Sequence, residues 1–77
     1  MKAIIRTIGR TLKIDLDEEM KDYVADIKVI NGVDYIILHG RYSCSVIVGR
    51  LLDVDETVNR IVEYLQKQGF KVEVKEG

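Results

Sequence analysis

Three glycine-arginine pairs, Gly9-Arg10, Gly40-Arg41 and Gly49-Arg50, carry the groups in this chain best suited to holding a phosphate. A glycine at a turn exposes backbone N–H groups, and the guanidinium beside it offers a planar fork of donors that matches phosphate oxygens. Next to the middle pair, His39 and Tyr42 supply rings on which an unpaired base could stack. Lys2, Arg6 and Lys13 add charge around the first pair. Together, Lys2, Arg6, Arg10, Lys13, His39, Arg41, Tyr42 and Arg50 form the candidate nucleic-acid-binding set. The plainer account is that glycine supplies the positive φ of a hairpin turn and a solvated arginine beside it aids solubility.

Other chemistry is poorly provided for. Cys44 and His39 make the minimum pair for a thiol nucleophile, and a two-residue turn at Gly40-Arg41 would put them on one hairpin face. The apolar neighbours of Cys44 favour a packed, unreactive thiol instead. Ser43 and Ser45 lack a nucleophile-elbow frame and are expected on a solvated strand face. One cysteine and one histidine cannot complete a zinc site, and a lone cysteine forms no internal disulfide. The acidic group Asp15, Asp17, Glu18, Glu19 and Asp22 lacks the glycine and spaced ligands of a calcium loop, so capping is its simpler role. No phosphate loop or dinucleotide fingerprint occurs. The expectation is therefore no enzyme, no cofactor and no metal.

The charge is segregated. The net charge is −1, which argues against a strongly polyanion-seeking surface as a whole. Yet residues 1–14 and 35–52 contain only basic charges, whereas Asp15, Asp17, Glu18, Glu19, Asp22, Asp26 and Asp34 crowd between them with Lys21 and Lys28. Such blocks in sequence often become faces in space.

Seventy-seven residues, 47% hydrophobic and 32% charged, imply one soluble globular domain spanning 1–77. The longest charge-free stretches, Tyr35–Gly40 and Tyr42–Gly49, are far short of the ~20 residues of a bilayer-spanning helix. The N-terminal apolar run is too short for a secretory signal, so no membrane association and a cytoplasmic location are expected. A chain this small gains core by pairing, which makes a homodimer a reasonable expectation. Few amides beside many Ile, Val, Lys and Glu residues lean toward a thermophilic composition.

The elements that must position these groups are unevenly legible. Val58, Ile61, Val62 and Leu65 line one face of a helix, with Asp53 and Glu56 as a capping box and Gly69 as its stop. Phe70, Val72 and Val74 then alternate with charges as a strand. A two-residue turn at Gly9-Arg10 pairs Thr7 with Leu12, Ile5 with Ile14 and Ala3 with Leu16, leaving Arg6 opposite Lys13 on the outer face. A similar turn at Gly40-Arg41 pairs Ile37 with Cys44, Tyr35 with Val46 and Val33 with Val48. Residues 17–30 read either as a helix or as a short turn at 17–21 followed by a strand, and the β-branched "IKVI" favours the strand.

The expected fold is a small α+β domain: an antiparallel hairpin meander, one C-terminal helix and a final strand. The alternative is a ferredoxin-like βαββαβ sandwich whose first strand is extended or folded into a hairpin. In the meander, Arg10 and Arg50 share one end of the sheet and Arg41 the other; in the alternative, Arg10 joins Arg41. The function expected is non-catalytic nucleic-acid binding, RNA favoured over DNA because no recognition helix is apparent. The alternative is a homodimeric interaction or scaffold subunit.

Overall fold

The computed structural model describes residues 1–77. It contains β1 (Lys2–Ile8), β2 (Thr11–Leu16), a 3-10 turn (Met20–Asp22), α1 (Val24–Lys28), β3 (Val33–Leu38), β4 (Ser43–Val48), α2 (Val54–Lys67) and β5 (Lys71–Glu76). The strands form one sheet in the order β3-β4-β2-β1-β5, antiparallel throughout except that β5 joins β1 in parallel. This is a small α+β fold with one main helix and a final strand.

The first hairpin has the register its alternation dictates. Ala3 pairs with Leu16, Ile5 with Ile14, Arg6 with Lys13 and Thr7 with Leu12. Gly9 has φ +61° and no non-glycine residue has positive φ, so Gly9-Arg10 is a type II′ turn with glycine first. Every apolar partner named here except Thr7 is fully buried or nearly so.

The second hairpin corrects the sequence reading. Leu38 pairs with Cys44, Ile37 with Ser45, Ile36 with Val46 and Tyr35 with Ile47; only Val33 with Val48 agrees, after an irregularity between Val33 and Tyr35. The connection is a four-residue loop because its backbone is engaged by other elements. The carbonyl of Tyr42 accepts the N–H of Leu16 at 2.8 Å, and that of Arg41 accepts the N–H of Met20 at 2.7 Å. A one-residue slip exchanges the two faces of a strand. Tyr35 and Ile37 therefore turn away from the core and Ile36 and Leu38 turn toward it.

Residues 20–28 are helical rather than extended, a second correction. β2 and β3 run in the same direction with β4 between them. The linking chain must travel back along the length of the sheet, and such a crossover lies over a face as helix. Met20 and Ile27 anchor it, both fully buried. The connectivity is thus that of the ferredoxin-like alternative with its first strand doubled into a hairpin. Doubling sends the Gly9-Arg10 turn to the far end, so the arginines nevertheless follow the meander's placement.

α2 begins at Asp53, whose carboxylate accepts the N–H of Glu56 at 3.0 Å. It ends at Gly69, φ +97°, in a Schellman motif: Phe70 N–H to the Leu65 carbonyl at 3.0 Å and Gly69 N–H to that of Gln66 at 3.0 Å. Val58, Ile61 and Leu65 pack into a core with Ala3, Ile5, Leu12, Ile14, Cys44, Val46 and Phe70. Both crossovers lie on this side. β2 and β4 run oppositely and their crossovers travel oppositely across the sheet, so the right-handed rule sends both over one face. The other face carries no helix.

Candidate nucleic-acid interface

Strand alternation and register set out the uncovered face row by row. Its middle row runs Lys75, Arg6, Lys13, Ser45, Ile37 across β5, β1, β2, β4 and β3. On one side lie Ile8, Thr11, Ile47 and Tyr35; on the other lie Glu73, Ile4, Asp15 and Ser43. None of these residues is buried. With neighbouring strands about 4.8 Å apart, the three cations span about 10 Å of one straight row.

Directly opposed like charges destabilise a sheet pair by roughly 0.2–1 kcal/mol, yet Arg6 and Lys13 face each other with no ion pair to either. Lys75 reaches Glu73 at 3.7 Å. Asp15 is engaged by the hydroxyl of Ser43. Beside the row, His39 Nε2 sits 2.8 Å from Ser45 Oγ. Tyr35, 51% exposed, presents an aromatic ring at the end of the adjacent row. Lys2 and Lys71 pair with each other on the same face, separated from the basic row by the row that carries Glu73 and Asp15.

The three Gly-Arg pairs do not converge. The Arg10 guanidinium donates to the carbonyls of Gly49 and Leu52, tying the β4–α2 loop to the first turn. Arg50 lies on that loop and is exposed. Arg41 lies at the opposite end, where it bonds the carboxylate of Glu19, and its guanidinium carbon is 5.6 Å from the Tyr42 ring centroid. Hydrogen bonds from Arg41 and then Lys21, the latter at 3.1 Å, hold the Glu19 carboxyl below its ordinary pKa. The same contact raises Arg41. Arg41 and Tyr42 are thus removed from the basic row, and Arg10 is a structural clamp. Lys2, Arg6, Lys13 and His39 reach the uncovered face.

Cys44 faces the core, and burial pushes its thiol up to about 12. His39 bonds Ser45 on the other face, so the two never share a surface, contrary to the two-residue-turn geometry. Burial, then a hydrogen bond at 2.7 Å to Asp26, raises the Tyr64 phenol. No group of three or more His, Cys, Asp or Glu side chains is placed to hold a metal. No helix is long and apolar enough to cross a membrane.

Sequence reasoning missed Lys75, Lys71, Tyr35 and Ile37. The lysines were visible as the wet side of a strand, but nothing local says that β5 lies beside β1. The other two were assigned to the core by the wrong register. These features define a class: a small α+β domain whose sheet is covered on one face and presents a cationic row with flanking aliphatic and aromatic groups on the other. Compared with known proteins, the chain matches no family model, no curated protein and no solved structure.

Proposed function

We propose that this domain binds single-stranded nucleic acid, RNA in preference to DNA, without catalysis, along the uncovered face of its sheet. The observation that carries this reading is the row Lys75–Arg6–Lys13, in which two unpaired cations oppose each other on solvated strands. A phosphate backbone laid across the row would relieve that repulsion. Tyr35 and the guanidinium plane of Arg6 offer stacking surfaces for splayed bases, and Ser45 and His39 offer polar contacts to base edges or a 2′-hydroxyl.

The net charge of −1 does not oppose this. At ~0.1 M salt the Debye length is about 10 Å, while the molecule extends 31 × 22 × 20 Å. The distant Glu19 end is therefore screened, and the acids within reach of the row are Glu73, paired with Lys75, and Asp15, engaged by Ser43. A second reading, a homodimeric interaction subunit, is favoured by the charge-free Tyr35–Leu38 stretch at the outer edge of β3.

Titration of a labelled single-stranded oligonucleotide tests the proposal. Three phosphate contacts predict log Kobs falling with log salt at a slope of about −2. Affinity weaker than ~10⁻⁴ M at low salt, below ordinary non-specific binding, defeats it.

A further inference from the structure

The two edges of the sheet differ in kind. β5 carries Lys71, Glu73 and Lys75 on one face, with Val72 and Val74 on the other, and such charges are a usual protection of an exposed edge. β3 has no charge from Tyr35 to Leu38, and its Tyr35, Ile37 and Leu38 side chains are 51%, 45% and 52% exposed. These groups lie on both faces of the strand. A partner that covers them must therefore carry apolar groups on both of its faces, as β3 itself does.

The backbone narrows the pairing further. The N–H of His39 bonds the carbonyl of Ser43 in β4 at 2.9 Å. Alternation then points Ile37 and Tyr35 toward β4, leaving the N–H and C=O groups of Ile36 and Leu38 at the free edge. Antiparallel pairing of β3 with itself must match these groups and keep each face on its own side. Every register centred on a residue does so, and of these the ones centred on Ile36 and on Ile37 overlap the charge-free Tyr35–Leu38 stretch most fully. Centring on Ile36 sets Asp34 against the exposed Leu38. Centring on Ile37 sets Ile36 against Leu38 and Tyr35 against His39, and brings Asp34 to the polar Gly40 turn. The second covers every apolar group and keeps Asp34 away from Leu38.

We infer that two copies of this chain pair through β3 about a two-fold axis at Ile37, joining their sheets into one of ten strands with both uncovered faces on the same side. The rows then become continuous: Lys75, Arg6, Lys13, Ser45 and Ile37 of one copy run into the same residues of the other in reverse. Lys13 of one copy lies five strand spacings, about 24 Å, from Lys13 of the other. This joint row rests on the nucleic-acid reading; the pairing itself rests on the β3 edge. The interface is a single short edge strand, so the dimer belongs with the small, weak and reversible associations.

Sedimentation equilibrium from low micromolar to millimolar protein is expected to show a reversible dimer. Ile37→Lys, which sets like charges on the axis, should abolish it, while Val74→Lys on the β5 edge should not; melting curves confirm that each variant folds. The register is read by cross-linking. Ile37 meets its counterpart at a non-hydrogen-bonded site with Cα atoms about 4.5 Å apart, within disulfide reach. Mild oxidation should therefore link Ile37→Cys rapidly and Ile36→Cys little, with the native Cys44 buried. A monomer throughout, or faster linkage of Ile36→Cys, overturns the inference. A dimer linked through Ile37→Cys that ignores RNA supports the pairing and removes the nucleic-acid reading. RNA binding by a strict monomer does the reverse.

Discussion

Replacing Lys13 by glutamate separates a functional cation from an incidental one. In the present fold, Lys13 opposes Arg6, and no acid is paired with either. Lys13→Glu removes a like-charge cross-strand pair and installs an opposite-charge pair, each change being worth a few tenths of a kcal/mol to ~1 kcal/mol. Asp15, two residues along the same face and about 6.6 Å away, offsets part of the gain. The net expectation is stabilisation by about 0.5–1 kcal/mol, which for a chain of this size raises Tm by roughly 3–6 °C. The same substitution places a carboxylate in the middle of the proposed phosphate path. Affinity for a single-stranded oligonucleotide should fall at least tenfold, and the salt slope should shrink by about 0.7 for the lost contact. The assay is a pair of measurements on one variant, a thermal melt and a fluorescence anisotropy titration at several salt concentrations. A lower Tm would refute the electrostatic account of the row. Unchanged RNA affinity would refute its role in binding.

Arg41→Ala should leave oligonucleotide affinity within about twofold of the parent, since that arginine is held by Glu19 at the far end of the sheet; a large loss would restore the Gly-Arg turns as the site. Gly32 has φ +110°, and a Cβ there would sit 2.1 Å from Thr57 Oγ1, so Gly32→Ala should cost at least about 2–3 kcal/mol in denaturant unfolding, with partial recovery on adding Thr57→Ala. Native Cys44 should resist thiol reagents until the chain unfolds. Its thiol is raised from 9.0 to about 12 in the fold, so its contribution to stability is complete below pH 9 and is lost as pH rises toward 12; a Tm that stays level above pH 9 would contradict this. Asp53→Ala should destabilise by about 1 kcal/mol through loss of the cap to Glu56 N–H, read from the same unfolding curves.

How much was legible depended on whether the deciding interaction was local. Gly9-Arg10 flanked by strict alternation allowed one register, and the structure has it. α2 was readable from Asp53 to Gly69 because its caps and its apolar stripe lie within the segment. The "HGRY" loop looked like a second tight turn, but Leu16 and Met20, remote in sequence, take the carbonyls of Tyr42 and Arg41 and lengthen it. Residues 17–30 were short and apolar enough for either structure, and the need to cross back over β4 made them helical.

The sequence by itself determined the first hairpin, the C-terminal helix with its following strand, the burial of Cys44 and the segregation of charge into blocks. These follow from side-chain period, capping and turn chemistry, which act over a few residues. Tertiary structure alone decided that β5 lies beside β1, that Tyr35 and Ile37 face outward, that Arg10 and Arg41 are occupied by the fold, and that one face of the sheet stays bare. Those outcomes depend on which strands become neighbours and on the hand of two crossovers. Only the closed chain fixes such long-range choices.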